Sequence, residues 1–179
     1  SGFGGNGASG IVIITYLSSV QPPPIVNFRF LPSDVNGSTL HNYGSNGIDG
    51  VLSGANNTLP TITTTTGQRS FINSGNMNFN GVNTQFFNIP NLVLPTTGFS
   101  ILLWFNYSSL EQYRRLFEFY NTDIFSGCIL ACNSPTGHIA IQNIKDSVYF
   151  DGGPTPVINR WYHFVWTITQ SGVWILYVD

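Results

Sequence analysis

The chain has 179 residues, enough for one sizeable hydrophobic core. Only 8% of its residues are charged, against about 25% in an average soluble domain. Six basic and eight acidic side chains give a net charge of −2, so the chain lacks the basic face that a nucleic-acid-binding protein needs. We therefore predict no nucleic-acid partner. We also predict no membrane insertion, since no apolar run approaches the length of a bilayer span.

Uncharged side chains supply most of the polarity, with asparagine as frequent as glycine. A surface of this kind suits a crowded assembly or the outside of a cell. Cys128 and Cys132 lie in one apolar stretch; if that stretch is a strand, their Cα atoms are about 13 Å apart and cannot form a disulfide. We predict two reduced, buried thiols, which slightly favours folding in a reducing compartment.

The first 24 residues differ in composition from the rest. A glycine-rich stretch, 1–10, is followed by a β-branched run, Ile11–Leu17, that reads as a strand. Gln21–Pro24 then forms a short, stiff, proline-rich spacer. We predict that residues 1–24 are the end of a preceding glycine-rich module plus its linker, and that residues 25–179 form a separate domain.

From residue 25 onward the pattern is strand and turn. One segment, Ser108–Arg115, has room for a short helix. Many short strands separated by Gly, Asn and Pro turns indicate a sandwich or a barrel. The strands predicted before the last hairpin are Val26–Phe30, Thr61–Thr66, Asn76–Gly81, Phe99–Tyr107, Arg115–Tyr120, Cys128–Ala131 and His138–Ile141.

Three long strands are rich in apolar residues. Alternation in Phe99–Tyr107 puts its odd-numbered residues on one face, which we predict to be core. Leu102 and Trp104 lie on the other face, so we expect both faces to be at least partly covered. The other two strands, Trp161–Thr169 and Val173–Val178, form a hairpin through a tight turn.

Four segments in this order resemble the laminin-G-like branch of the concanavalin A-like lectin/glucanase superfamily. They correspond to an opening strand, a polar turn, a strand that ends in an Asn-Gly turn and continues into the long strand, and the final hairpin. These segments are Val26–Phe30, Asn42–Gly50, Met77–Val82 with Phe99–Phe105, and Arg160–Thr167 with Trp174–Asp179. The resemblance implies an all-β fold, a jelly-roll sandwich of two antiparallel sheets.

The chain departs from the family pattern in two respects. Asn80 stands where the family usually has Asp, and an amide is the weaker calcium ligand. The family also continues past the strand that precedes Asp179, so we expect a sandwich that is incomplete at its C-terminus and has an unpaired edge. A longer native protein or another chain would complete that sheet.

Residues 4–16 resemble the closing piece of glycine-rich domains in surface and fibre proteins of phages and large DNA viruses. This likeness favours a viral structural role, on a virion surface or capsid, with other coat proteins or copies of the same chain as partners. The module would dock onto coat proteins or present a glycan-binding rim. The alternative is an extracellular, lectin-like adhesion domain, and a glycosidase relative is a third reading.

We predict that the chain is not an enzyme. Glucanases of the superfamily resemble one another in a strand of alternating carboxylates, whereas this chain has only two glutamates, Glu111 and Glu118. The nearest carboxylate to Glu118 is Asp123, and a five-residue offset places the two on opposite faces of a strand. The three histidines stand outside any nucleophile-elbow context; they are His41, His138 and His163.

Two kinds of binding site remain as hypotheses. Laminin-G-like domains often hold one calcium ion at the rim, and the candidate ligands are Asp34, Asn42, Asn46 and Asp49. The alternative for these residues is a network of Asx turns that only shapes the loop. Sugar binding needs exposed aromatic rings with neighbouring amides, for which the candidates are Tyr43, Asn91, Tyr113 and Tyr149. Three Asn-x-Ser/Thr sequons, at Asn36, Asn56 and Asn106, are acceptors only in a glycosylating compartment.

Overall fold

The computed structural model describes residues 24–64, 75–81, 84–119, 129–143 and 148–179. These residues form antiparallel strands, turns and two 3₁₀ turns, Pro32–Asp34 and Ala55–Asn57, which confirms the all-β prediction. The predicted glycine-rich segment, its strand and Cys128 lie outside the described residues. The chain divides into two compact units, 1–92 and 93–179. A single domain spanning 25–179 stays a prediction.

The first unit contains two small sheets. Leu40 and Leu52 are its buried aliphatic residues, and the rings of Phe28 and Phe87 meet edge to face at 4.8 Å. The described strands are β1 (Val35–Asn36), β2 (Thr39–Leu40), β3 (Gly50–Ser53), β4 (Thr61–Thr64), β5 (Gly75–Asn78) and β6 (Phe86–Asn88). One sheet has the order β1-β2-β3-β6, and in the other β4 pairs with β5.

The predicted opening strand, Val26–Phe30, is wrong. The backbone of Asn27 bonds to a loop instead of a strand: its N–H donates to the Asn42 side chain, and its carbonyl accepts the Tyr43 N–H at 2.9 Å. Phe30 has φ +55°, a left-handed conformation that a strand excludes. The alternating apolar residues Phe28 and Phe30 pack their rings against Phe87, but the segment forms no hydrogen-bonded strand ladder.

The second unit contains a four-stranded and a three-stranded antiparallel sheet. The described strands are β7 (Gly98–Asn106), β8 (Arg115–Phe119), β9 (Ile129–Asn133), β10 (Ile139–Asn143), β11 (Val148–Phe150), β12 (Trp161–Thr169) and β13 (Trp174–Val178). The four-stranded sheet is a meander in which each strand pairs with the next along the chain, in the order β11-β10-β9-β8. The three-stranded sheet has the order β13-β12-β7.

The core of the second unit lies between these two sheets. Alternate residues of β12, Tyr162, Phe164 and Trp166, are buried there, and Ile139 and Ile141 of β10 meet them from the other sheet. The odd-numbered face of β7 joins the same core, as predicted.

The opposite face of the three-stranded sheet is not fully covered. Leu102 is 64% exposed, so the prediction that this side of β7 is covered is wrong at that residue. Beside it, Trp104 stacks on His163 of β12 with ring centroids 4.6 Å apart. Trp166, by contrast, is a core residue.

The predicted short helix, Ser108–Arg115, is also wrong. Its C-terminal half bonds to β9: the Tyr113 N–H donates to the Asn133 carbonyl at 2.7 Å, and the Asn133 N–H donates to the Arg114 carbonyl at 3.1 Å. Tyr113 has φ +62°, which is incompatible with a helix. Across the described residues, no helix is long and apolar enough to cross a membrane.

Candidate functional site

The loops at one end of the four-stranded sheet bring together residues that are far apart in sequence. Because the sheet is an antiparallel meander, β8 and β10 begin at the end where β9 and β11 finish. We call six residues at this end the rim. They are Tyr113, Asn133, Ser134, Thr136, Tyr149 and Asp151.

A carboxylate surrounded by hydroxyls forms the polar centre of the rim. Ser134 Oγ donates to Asp151 Oδ1 at 2.9 Å, and Thr136 Oγ1 donates to Asp151 Oδ2 at 2.6 Å. The two hydroxyls lie 2.7 Å from each other. The Tyr149 hydroxyl also hydrogen-bonds within this group. The carboxylate is therefore held by two side chains of the β9–β10 turn and by Tyr149 of β11.

These contacts keep the carboxylate ionised. The hydrogen bond from Thr136 is the main reason that the pKa of Asp151 lies below its usual value, and the Ser134 and Tyr149 hydroxyls act in the same direction. Desolvation raises the pKa of Tyr149, so its hydroxyl stays protonated at neutral pH. At neutral pH the rim thus presents an anionic acceptor beside neutral hydroxyl groups.

Two buried polar atoms near the rim have no hydrogen-bond partner. Asn133 is buried; its Nδ2 donates to the Glu111 carbonyl at 3.2 Å, but its Oδ1 accepts no hydrogen bond. Next to it along the β8–β9 pairing, the buried Arg114 Nε also lacks a partner, although the same guanidinium forms an ion pair with Glu111 at 2.8 Å. Buried polar atoms are rarely left unpaired in native proteins, so each such atom calls for an explanation.

Two tyrosines present aromatic surface at this end of the sheet. Tyr113 is 58% exposed and Tyr149 is 47% exposed. The backbone of Tyr113 hydrogen-bonds to Asn133, and the side chain of Tyr149 hydrogen-bonds to Ser134, which follows Asn133 in the chain. The adjacent pair Asn133–Ser134 therefore links both tyrosines to the polar centre. Exposed tyrosine rings beside a carboxylate and hydroxyls can stack on a sugar ring and bind its hydroxyl groups.

The turn that carries the hydroxyls is fixed from below. The Gly137 N–H donates to the Ser134 carbonyl at 2.9 Å, closing the β9–β10 turn. His138 Nδ1 lies 3.0 Å from the Gly153 carbonyl. A Cβ on Gly153 would lie 2.4 Å from the Ile139 carbonyl oxygen, so only glycine permits this close approach. The backbone after β11 is thereby held against β10, which places Asp151 beside the turn.

In the first unit, three of the four predicted calcium ligands hold one loop together. Asn42 is buried; its Oδ1 accepts the N–H groups of Asn27 and Gly44, both at 2.8 Å. Its Nδ2 donates to Asn46 Oδ1, and its own N–H donates to Asp49 Oδ1 at 2.9 Å. This is the pattern of an Asx-turn network.

The fourth predicted ligand, Asp34, is committed to an ion pair. Its Oδ1 accepts from Arg29 Nη2 at 2.6 Å and from the Tyr43 hydroxyl at 2.9 Å. The bond from Arg29 is the main reason that the pKa of Asp34 lies below its usual value. Arg29 also lies over the Tyr43 ring, 3.6 Å from its centroid, and His41 meets that ring edge-on at 4.5 Å.

As placed here, the oxygens of this loop suit hydrogen bonding better than a cation. Asp34, Asn42 and Asn46 already accept donors from the protein, and calcium would have to replace those bonds. Within the described ranges, no three His, Cys, Asp or Glu side chains group as they would around a metal ion. Calcium binding at this loop stays a prediction.

The four predicted sugar-binding residues divide between the two units. Tyr43 and Asn91 belong to the first unit, and Tyr113 and Tyr149 belong to the second, where the rim brings them to one end of a sheet. Sequence reasoning missed Asp151, Ser134 and Thr136. A signal was available: Asp151 directly precedes two glycines, a usual position for a polar residue in a tight loop.

Comparison with protein families decides the family. A laminin-G model, described as the concanavalin A-like lectin/glucanases superfamily, matches residues 80–179. The chain belongs to this superfamily. The match includes the whole second unit and therefore the rim. Comparisons with curated proteins and with solved structures found no match.

Membership of the superfamily confirms the predicted concanavalin A-like fold class and supports a carbohydrate-binding or adhesion-type module. Laminin-G-like domains are generally non-catalytic binding modules. Each glutamate of this laminin-G-like chain has an arginine partner: Glu111 pairs with Arg114, and Glu118 pairs with Arg115. Glu118 lies within β8.

Proposed function

We propose that the chain is a non-enzymatic binding module that holds a glycan at the rim of its second unit. The observation that carries the proposal is the placement of two exposed tyrosines at the same end of the sheet as one hydrogen-bonded carboxylate. Tyr113 and Tyr149 supply ring faces, and Asp151 supplies an acceptor for sugar hydroxyls. The superfamily match supports a binding role of this kind.

The rim is already organised for such a ligand. Its carboxylate is oriented by Ser134 and Thr136, so binding does not have to pay for ordering that side chain.

A glycan array tests the proposal. The chain is applied with and without a calcium chelator, and hits are measured again with Tyr149→Ala and Asp151→Asn. We expect binding of at least one glycan to fall about tenfold or more in each variant, which is the effect of losing about 1.4 kcal/mol. The control is Tyr177→Ala, which removes a 63% exposed tyrosine from the outer face of the three-stranded sheet.

Two results would contradict glycan binding at the rim. One is the absence of any bound glycan with and without chelator. The other is an equal loss in Tyr177→Ala, since Tyr177 is not part of the rim. Loss of binding only in the presence of chelator would add a calcium ion to the site. Binding that depends on Tyr43 and not on Tyr149 would move the site to the first unit.

The non-enzymatic part is tested separately, because the superfamily includes glucanases. Glycans that bind on the array are incubated with the chain, and new reducing ends are counted. We expect none above the buffer rate. Turnover that disappears in Glu118→Gln would instead support a glycosidase, with Glu118 as the first catalytic candidate.

We further propose that this module works on a virion surface or capsid, among other coat proteins or copies of itself. The support is compositional: 8% charged residues, abundant uncharged polar side chains, and a glycine-rich first segment that resembles those of viral fibre proteins. Antibody labelling of intact particles tests it, with labelling of the particle exterior as the expected result. Labelling of secreted material or cell surfaces alone would favour the adhesion-domain alternative.

A further inference from the structure

Two asparagine–glycine pairs of the first unit lie in turns where the glycines have nearly the same conformation. They are Asn36–Gly37, at the turn between β1 and β2, and Asn46–Gly47, in the loop between β2 and β3. The glycines have φ +61° and +63°, and a Cβ on either would meet no atom within 4 Å. Both glycines are exposed, so their conformation and surroundings do not distinguish the two pairs.

An asparagine that precedes glycine can lose its side-chain amide without an enzyme. The glycine nitrogen attacks the asparagine Cγ, a C–N bond forms, and the carboxamide nitrogen leaves as ammonia. Water then opens the cyclic imide at either carbonyl and leaves aspartate or isoaspartate. Glycine favours the attack because it has no Cβ to hinder the approach of its nitrogen. The reaction needs a glycine N–H that is free to lose its proton and a carboxamide that is free to turn towards it.

The Asn36–Gly37 pair meets both requirements. Asn36 and Thr39 form the last residue pair of the β1–β2 ladder, so the Gly37 N–H belongs to the turn and not to the ladder. Among the described residues, neither this N–H nor the Asn36 carboxamide forms a hydrogen bond. Asn36 is also exposed, so hydroxide and water reach the reacting atoms.

The Asn46–Gly47 pair is held at both reacting groups. The Gly47 N–H donates to the Gly44 carbonyl at 3.3 Å, which engages the nitrogen that would attack. Asn46 Oδ1 accepts the Ile48 N–H at 3.1 Å and a second hydrogen bond from Asn42 Nδ2. The Asn46 Nδ2 atom is buried. Turning this carboxamide towards Gly47 would break both hydrogen bonds, so the reaction requires local opening of the loop.

We propose that Asn36 is a site of spontaneous deamidation in the folded chain, and that the fold protects Asn46 from the same reaction. The conversion adds one negative charge to an exposed hairpin of a chain whose net charge is −2. Isoaspartate also inserts a methylene into the backbone of β1, which disrupts the pairing of Asn36 with Thr39. Either product removes the acceptor amide of the sequon at Asn36. The inference does not depend on glycan binding at the rim.

The experiment compares the two pairs within one peptide. The chain is produced in a bacterial host without N-glycosylation, kept folded at mildly alkaline pH, and digested with trypsin at successive times. Cleavage after Arg29 and Arg69 gives a peptide, 30–69, that contains both pairs, while the Asn–Gly pairs 6–7 and 80–81 fall in other peptides. Fragmentation in a mass spectrometer gives the acid fraction at each position. We expect Asn36 to react about tenfold or more faster than Asn46, because Asn46 must first leave its hydrogen bonds.

The unfolded chain provides the matched control. In concentrated guanidinium chloride both pairs lose their folded-state contacts, and their rates should agree within about threefold. The variant Asn36→Gln keeps a carboxamide at the turn but places it one methylene farther from the Gly37 nitrogen. We expect no acid at position 36 of this variant over the same time, with the rate at Asn46 unchanged.

Three outcomes would overturn the inference. Equal rates at positions 36 and 46 in the folded chain would mean that the hydrogen bonds of Asn46 give no protection. Faster reaction at Asn46 would reverse the assignment of the site. Reaction at position 36 only in guanidinium chloride would mean that the hairpin itself holds the Asn36 side chain away from Gly37.

Discussion

The substitution Tyr107→Phe tests how the loop beneath the rim is held. The Tyr107 hydroxyl is buried and donates to the Arg114 carbonyl at 3.0 Å, while its ring packs against Phe105 with centroids 5.2 Å apart. The Arg114 carbonyl also accepts the Asn133 N–H at 3.1 Å. The substitution therefore keeps the ring, removes one hydrogen bond, and leaves the carbonyl with its other donor.

The Asn133 N–H, as the second donor to this carbonyl, determines how much unfolding free energy the substitution removes. Losing a hydrogen bond without leaving a buried group unpaired costs about 0.5–1.5 kcal/mol, whereas an orphaned buried carbonyl would cost about 1–3 kcal/mol. We expect the lower range. In urea unfolding, with a slope of about 2 kcal/mol per molar, the midpoint should fall by about 0.5 M and the slope should not change.

Measuring the same two proteins at alkaline pH provides a second test. Burial raises the pKa of Tyr107 above its ordinary value of 10. From about pH 10 upward the unfolded chain loses this phenolic proton while the folded chain retains it, so the parent loses stability as pH rises. Tyr107→Phe has no such proton to lose. The difference in unfolding free energy between the two proteins should therefore shrink above pH 10.

Two results would refute this reasoning. A loss above about 3 kcal/mol at neutral pH would mean that the Asn133 amide does not support the carbonyl. A difference that stays constant to pH 11 would mean that Tyr107 ionises as freely as in the unfolded chain. The control Tyr177→Phe, at an exposed ring, should change stability by less than about 0.5 kcal/mol at neutral pH.

Three further predictions concern stability. Because Arg29 lowers the pKa of Asp34, this carboxylate stabilises the first unit above about pH 4 and loses that effect as pH falls through its folded pKa. The variant Asp34→Asn should therefore have a lower thermal midpoint than the parent at pH 7, and the difference between the two midpoints should be smaller at pH 3. Gly75→Ala would bring a Cβ within 1.7 Å of a backbone carbonyl oxygen and should destabilise the first unit by about 2 kcal/mol or more, measured by amide exchange in that unit. On β7, Phe105→Ala should cost about 3–5 kcal/mol in chemical unfolding, whereas Leu102→Ala on the exposed face should cost less than about 0.5 kcal/mol.

The long strands of the second unit were predictable because their apolar residues alternate. In Trp161–Thr169 the buried residues, Tyr162, Phe164 and Trp166, alternate with less buried ones, and an apolar period of two predicts a strand without knowledge of its partners. Val26–Phe30 has the same alternation and is not a strand. Its backbone bonds to the 42–46 loop, and no pattern within five residues reveals where their hydrogen bonds go.

The rim was predictable only in part. Exposed tyrosines were reasonable candidates from residue type alone, and Tyr113 and Tyr149 were named on that basis. Asp151 was not, since a lone aspartate after a strand has many structural roles. Its partner Ser134 is 17 residues away, and their contact follows from the register of two hairpins, which composition does not specify.

The meander explains why the rim residues meet at this end of the sheet. In four sequential antiparallel strands, the β9–β10 turn, the residues before β8 and those after β11 share one end. Tyr113, Ser134 and Asp151 come from these three places. The pairing of its flanking strands alone places each loop at this end of the sheet, so a side chain can change in one loop without disturbing the other loops.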